Sequence, residues 1–427
     1  MKTTAPTEIE SSDSNAVPTT LDGLAQRLRI ATKLHRLAAA RKMLPLRRLA
    51  LRKLGIGKRP RGVNLVGYTR AEMGLGTAVR GIAAALDAVG EPFNIINLEA
   101  GNFSRHGDTS WAHKEAADSG YDVTVVGVHP DNSYMLKTLV PLAVLSASYV
   151  INIWYWELPE LPDEWGSEFA YADEIWVGSR FVQDAVSLKS PVPVVRVPPA
   201  VRADAAETYT RDHFGLPGNR FLFLAMFDTH SVLERKNPLA VLRAYRRAFP
   251  EPAAAAGLVL KFNNPNPCDP IMRSVAEHLA GRDDIFVING VLSRDEVISL
   301  MNCTDCFVSL HRSEGFGLGP AEAMYLGKPA IMTNWSGNTD YMTCDNSAAV
   351  DYRLVPLGTD YGPYNARQLW AEPDEKSAAR WMRRLFEEPQ LASEMGQRGR
   401  EIIRTQFSSE SSGRVIARRL EYVRRYI

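Results

Sequence analysis

Glu314 and Glu322 stand eight residues apart, and between them the chain places glycines at 315, 317 and 319. An apolar run over 306–310 reads as a short strand, and Pro320 is suited to the first turn of a helix, where its missing N–H would have no partner anyway. Glycines let the backbone come close to a ligand, and the free N–H groups at a helix start attract an anion. The stretch therefore reads as a phosphate-facing strand, loop and helix, with Glu322 in the first helical turn. The bland alternative is a solvated loop acid followed by a helix-start acid favoured by the dipole; it explains each acid alone but not both with the glycines between them. Further back, Arg235 and Lys236 immediately precede an expected helix over 239–248. Positive charge at a helix start opposes the dipole, so this pair points to an anion bound there.

The elements that must hold these groups alternate strand and helix. Apolar runs over 63–68, 93–98, 122–128, 149–154, 174–179 and 194–199 read as buried parallel strands, and 221–226, 258–262, 285–288 and 306–310 repeat the pattern. The fold class is α/β: two doubly wound, Rossmann-like domains facing across a cleft, with a basic N-terminal extension. The expected division is a polar then basic extension over 1–61, a first domain over 62–200, a second domain over 206–405, and a final helix over 406–427. Ligands of such sheets lie at the carboxyl ends of the strands, which singles out His129, Glu157 and Ser179. His129 reads equally as a structural histidine. The aromatic run around Glu157 reads equally as an acceptor-side wall or as core. Gly74 and Gly76 sit in an expected loop between the first strand and a helix over 78–89.

The segment Glu314-Gly-Phe-Gly-Leu, followed by Glu322-Ala-Met and Gly327-Lys-Pro, resembles the E-x7-E signature of the retaining GT-B glycosyltransferases, in particular glycosyltransferase family 4. The resemblance covers about residues 62–425, and its motifs are specific in the second domain and diffuse in the first. It implies an acceptor-side first domain over 62–200, a nucleotide-sugar second domain over 206–405, and a final helix over 406–427 packing back on the first domain. It implies that Glu314 and the loop residues Gly315, Phe316, Gly317, Leu318 and Gly319 lie at the donor sugar. It also implies that Glu322 binds the ribose and that Gly74 and Gly76 approach the diphosphate. His129 matches a family histidine that touches the donor sugar, and Lys236 matches a lysine that holds the diphosphate. Phe227 or Asp228 stands where the family carries an arginine, so Arg235 is taken as the second charge. The loop over 334–340 corresponds to one near the donor. The chemistry implied is transfer, with retention, from a UDP- or GDP-sugar to a hydroxyl of a glycan or lipid-linked acceptor in cell-surface polysaccharide synthesis. A same-face path through a short-lived oxocarbenium ion is expected, because nothing marks the nucleophile and acid about 5 Å apart that a two-carboxylate route requires. The chain has no D-x-D triplet, so no obligatory metal and no cofactor are expected. A sugar-nucleotide epimerase of the same fold and a non-catalytic sugar-nucleotide-binding component are the rival classes.

The composition, 45% hydrophobic and 23% charged over 427 residues, is that of a globular protein of two or three domains. The net charge of +1 conceals an uneven distribution: residues 1–61 carry 14 Lys/Arg against 4 Asp/Glu, leaving 36 against 45 for the rest. The basic span 21–61 reads either as an amphipathic helix lying on an anionic membrane surface or as a helix packed on the body. No aromatic residue interleaves with its charges, so nucleic acid is not an expected partner. Cys303 and Cys306 have the spacing of a redox or metal pair, yet no second pair answers them, and buried structural thiols are expected. The uncharged run over 138–156 contains Pro141 and Asn152 and reads as a helix followed by a buried strand, not as a membrane span. The expected location is the cytoplasm, with peripheral attachment to the inner face of the membrane left open.

Overall fold

The computed structural model describes residues 59–425 apart from 102–103, 117–119, 131–147, 230, 264 and 267. The basic extension lies almost wholly outside the described residues, as does the helix expected ahead of residue 149.

Two six-stranded parallel sheets carry the structure. The first contains β1 (Val63–Gly67), β2 (Phe93–Asn97), β3 (Val123–Gly127), β4 (Tyr149–Trp154), β5 (Glu174–Val177) and β6 (Val194–Arg196), in the order β2-β1-β3-β4-β5-β6. The second contains β7 (Phe221–Asp228), β8 (Ala256–Asn263), β9 (Ile285–Asn289), β10 (Cys306–Ser309), β11 (Ala330–Thr333) and β12 (Ala348–Val350), in the order β12-β11-β10-β7-β8-β9. Every residue of β1 and of β3 is buried, which is why these strands are mainly apolar without alternation, their one polar pair, Asn64 and Thr124, hydrogen-bonded to each other at 3.1 Å. Around the sheets lie α1 (Gly74–Ala88), α2 (Arg180–Ser187), the short α3 (Leu233–Lys236), α4 (Pro238–Ala248), α5 (Pro270–Leu279), α6 (Arg294–Cys303), α7 (Leu318–Tyr325), α8 (Glu375–Glu387), α9 (Pro389–Gln406) and α10 (Ser409–Arg424).

Strand order decides where a ligand can sit. In the second sheet the chain winds outward from β7 in one direction through β8 and β9, and in the other from β10 through β11 and β12. The connections leaving β7 and β10 therefore diverge and open a crevice between them. The first of these connections carries Arg235 and Lys236, and the second carries Glu314. The fold thus brings together charges that are 78 residues apart in the chain.

Three local differences from the sequence expectation have plain causes. Helix α1 begins at Gly74, not at residue 78, so Gly74 and Gly76 are helical and the loop is only 69–73. Arg80 tightens that loop by donating to the carbonyls of Thr69 and Ala71 at 2.7 and 3.0 Å. Helix α7 begins at Leu318, not at Pro320, because Gly317 at φ 82° turns the chain into the helix and its carbonyl accepts from the Ala321 N–H. Glu322 consequently stands in the second turn. The hairpin of β13 (Tyr352–Pro356) and β14 (Leu369–Pro373) was not expected, since β13 is almost wholly exposed and shows no buried apolar run.

The hairpin and the last helix both cross between the halves. Leu357, Tyr364 and Trp370 pack into an apolar cluster with Trp154, Trp156 and Leu161 of the first domain. Helix α10 lies on α1, where Ile416 and Leu420 are fully buried with Val79, Ile82 and Leu86. Arg424 of α10 reaches Glu91 at 2.7 Å and Asp122 at 2.8 Å, and the Arg419 Nε lies 3.0 Å from both oxygens of the buried Glu174.

Candidate active site

A cavity of about 550 Å³ lies between the carboxyl ends of the two sheets. The first domain lines it with Glu72 to Leu75, Tyr155 and Glu157; the second lines it with Asp228, Arg235, Lys236, Lys261, residues 314–319 and Glu322.

Its centre is an ion trio. Lys236 Nζ is 2.6 Å from Glu314 Oε1, and an Arg235 guanidinium nitrogen is 3.1 Å from Glu314 Oε2. The same Arg235 nitrogen donates to the Ser313 carbonyl at 2.9 Å. Burial alone would raise the Glu314 carboxyl, but the Lys236 ammonium and the Arg235 guanidinium outweigh it and hold the group at about 2. Burial likewise opposes charge on Arg235, and Glu314 overcomes it, so the guanidinium stays protonated. Arg235 Nε is buried with no hydrogen-bond partner among the described residues. A buried cationic donor without an acceptor is costly, and an anion supplied from outside would satisfy it.

The scaffold behind Glu314 is rigid. The Glu314 N–H donates to Ser336 Oγ at 2.8 Å, and the Gly337 N–H donates to the Glu314 carbonyl at 2.9 Å. Asn338 Nδ2 donates to the Thr333 carbonyl, which leaves its Oδ1 to accept from His311 Nε2 at 2.9 Å; His311 Nδ1 then accepts from the Ser309 hydroxyl. Burial pushes the His311 imidazole down, in keeping with this neutral tautomer. Among the described residues, Asn237 and Ser336 are the non-glycine residues at positive φ. One follows Lys236 and the other holds Glu314. Backbone strain confined to the flanks of one ion cluster is the pattern of a functional site.

Gly315 sits where the domains touch: a Cβ there would come within 2.8 Å of the Trp156 carbonyl, and Ser179 Oγ donates to the Gly315 carbonyl at 2.6 Å. Phe316 packs against Tyr341 and Phe407 and fixes the loop from behind. The amides of Leu318 and Gly319, in the first turn of α7, belong to residues on the cavity wall. Glu322 is 5% exposed and lies 2.6 Å from an Arg294 guanidinium nitrogen, which keeps its carboxylate oriented.

The structure thus gathers Glu314, Arg235, Lys236, Glu322, Gly74 and the loop residues 315–319 around one cavity. Gly76 is buried inside α1 and does not line it. His129 does not line it either; its Nε2 lies 2.6 Å from the carbonyl of Tyr155, which does. Sequence reasoning put neither Lys261 nor Arg294 in the site. Lys261 is a charge within a buried strand, 3% exposed, and burial pushes its ammonium down to about 8; it donates to the Gly290 carbonyl at 2.8 Å. A lysine inside an apolar run was the available signal for it. Cys306 is buried and Cys303 partly so, both as free thiols raised by burial. Among the described residues no three His, Cys, Asp or Glu side chains are grouped to hold a metal ion, and no helix is long and apolar enough to cross a membrane.

Residues 272–402 match the family model for glycosyl transferases group 1. Over 180 residues, 39% of this chain and 21% of the relative, the sequence is 29% identical to the serotype-specific mannosyltransferase WbdA of Escherichia coli. Over 178 residues it is 25% identical to the trehalose synthase of Rubrobacter xylanophilus, covering 40% of this chain and 37% of that protein. The matched stretches thus span well under half of these relatives. Among solved structures, sucrose-phosphate synthase from Thermosynechococcus elongatus superposes with a TM-score of 0.62 at 15% identity, over 86% of this chain and all of that one. Anabaena HepE in complex with UDP and glucose superposes with a TM-score of 0.57 at 11% identity, over 85% of this chain and all of that one. A segment of the second domain, residues 272–402, thus matches the glycosyl transferases group 1 model, within a two-domain fold of the GT-B type.

Proposed function

We propose that this protein is a retaining, metal-independent glycosyltransferase that moves a sugar from a UDP- or GDP-sugar to a hydroxyl of a glycan or lipid-linked acceptor in cell-surface polysaccharide synthesis. The observation that carries the reading is the buried Arg235, with its unpartnered Nε, beside Lys236 and Glu314 in the cavity between the domains. Cleaving the bond from the anomeric carbon to a diphosphate requires the departing charge to be stabilised. Two fixed cations and the first amides of α7 supply that stabilisation without a metal. In this scheme Glu314 keeps the cations in place before the donor arrives and faces the sugar once it is bound. Glu322, oriented by Arg294, accepts the ribose hydroxyls. His129 acts through the Tyr155 wall. The mannosyltransferase relative makes a mannose donor, carried on UDP or GDP, the first to try.

The test is a panel of UDP- and GDP-sugars incubated with the purified protein in EDTA, with NDP release and the fate of the sugar recorded. Release of NDP from one donor in EDTA is the expected result. A requirement for added divalent cation would refute the metal-free route, and conversion of a donor into another intact NDP-sugar would replace transfer by epimerisation.

A further inference from the structure

Glu157 follows the carboxyl end of β4 and lines the cavity from the first domain. It is nevertheless held by the second. The Ser313 hydroxyl donates to the Glu157 carbonyl, and the Tyr364 hydroxyl, from the loop of the β13–β14 hairpin, donates to Glu157 Oε2 at 2.8 Å. Tyr364 is itself fixed: it is 7% exposed, its ring stands edge-on to Trp156 at 5.2 Å, and nearby Gln368 accepts from the Glu160 N–H at 3.2 Å. Burial and the adjacent Glu157 carboxylate push the Tyr364 hydroxyl up, so it remains a donor at neutral pH. The direction of the Glu157 carboxylate is thus set by the other domain and depends on the hairpin being docked.

The substrate group it meets follows from what its neighbours already do. Both Glu314 oxygens are engaged, one by Lys236 and one by Arg235, and Glu322 is held by Arg294. Among the described residues, Oε1 of Glu157 takes no hydrogen bond. Glu157 also lies close enough to Arg235 to support its charge, so it belongs to the reacting end of the cavity. A carboxylate repels a phosphate but accepts readily from a hydroxyl.

We propose that Glu157, aimed by Tyr364, accepts the hydrogen bond of the attacking hydroxyl and turns its lone pair toward the anomeric carbon. The proposal rests on the transferase reading above. In the step, the bond from acceptor oxygen to anomeric carbon forms as the bond from that carbon to the diphosphate oxygen breaks. The electron pair leaves with the diphosphate; the hydroxyl proton stays in the hydrogen bond to Glu157 until the new bond has formed, and then passes from the acceptor oxygen to the departed diphosphate. Glu157 is then an acceptor-binding group, and Tyr364 is a positioning residue that touches no substrate.

Water is itself a hydroxyl nucleophile, so the test needs no knowledge of the natural acceptor. The full chain is assayed with the donor it turns over. NDP release is measured in water and with octyl α-mannoside and octyl β-glucoside as acceptor probes, and donor affinity by calorimetry. Glu157→Ala is expected to lower kcat about a hundredfold with donor Kd within about twofold. Glu157→Gln, whose amide oxygen still accepts, should lose about tenfold, and Tyr364→Phe about tenfold. Adding Tyr364→Phe to Glu157→Ala should cost nothing more, which a merely structural tyrosine would not show. Unchanged kcat in Glu157→Ala, a loss confined to donor affinity, or additive losses in the double variant would each overturn the assignment. A wild-type protein that releases NDP from no donor would refute the transferase reading itself.

Discussion

Replacing Glu314 by glutamine imitates the protonated site while keeping its shape, so it isolates the charge of the ion trio. The carboxyl is held at about 2, against its ordinary value of 4.5. A separation of about 2.5 units, at about 1.4 kcal/mol per unit, makes the ionised form worth ~3 kcal/mol to the folded state at neutral pH. The side chain is only 13% exposed, so solvent screening takes little from this figure. It also agrees with the ~3–5 kcal/mol cost of removing one partner from a buried ion pair. Because the folded-state value lies below the unfolded one, the contribution is complete above about pH 5 and fades as the pH falls from about 4.5 toward 2. Urea unfolding followed by tryptophan fluorescence should therefore give wild type an advantage of ~3 kcal/mol over Glu314→Gln at pH 7, falling below half of that by about pH 3. A difference that stays constant across this range would show that the amide disturbs packing, and would refute the electrostatic account. A difference under about 1 kcal/mol at pH 7 would show that the trio is not a buried network.

Two other substitutions probe the same site from different sides. Lys236→Met should weaken binding of the nucleoside diphosphate product by about tenfold to a hundredfold in calorimetric titration, since under the proposed function it removes one of the two cations set against the diphosphate; a change below about twofold would place the diphosphate elsewhere. At Gly337 a Cβ would lie 2.0 Å from the Gly315 carbonyl oxygen and 2.7 Å from the Phe316 nitrogen, both main-chain atoms. Gly337→Ala should displace the loop over 315–317, lowering donor affinity by about tenfold and the melting temperature by several degrees; wild-type affinity would show that the loop gives way at no cost to binding.

Much of this was visible in the sequence because the parallel sheets are buried on both faces, and largely apolar runs such as 63–67 and 123–127 say so directly. The acid pair around the glycines was legible for a similar reason: Glu314 and Glu322 are local to one loop and one helix. Helix starts were less legible, because Gly317 and the Arg80 clamp on residues 69–71 decide them through backbone geometry and a distant side chain. The partners of the acids were legible only in part. Arg235 and Lys236 were found through their opposition to a helix dipole, whereas Arg294, which opens α6 in the same unfavourable charge position, carried that signal without its being used. Glu157 was indicated by its place at a strand end, but the hydroxyl that aims it comes from a hairpin whose exposed strand leaves almost no mark in the sequence. His129 ends a strand just as convincingly, yet it meets a backbone carbonyl behind the wall.

The packing of α10 on α1 sets an order of events during synthesis. Ile416 and Leu420 complete the apolar core that Val79, Ile82 and Leu86 begin, and Arg419 and Arg424 neutralise Glu174, Glu91 and Asp122. All of the second sheet is translated in between. A ribosome that has delivered residues 59–220 has therefore released a first domain with an uncovered helix and with Glu174 and Asp122 lacking their arginines, while the second domain can close first. The half of the protein made earliest is finished last, so a nascent chain stalled before residue 409 should be the species that chaperones hold and proteases cut within the first domain.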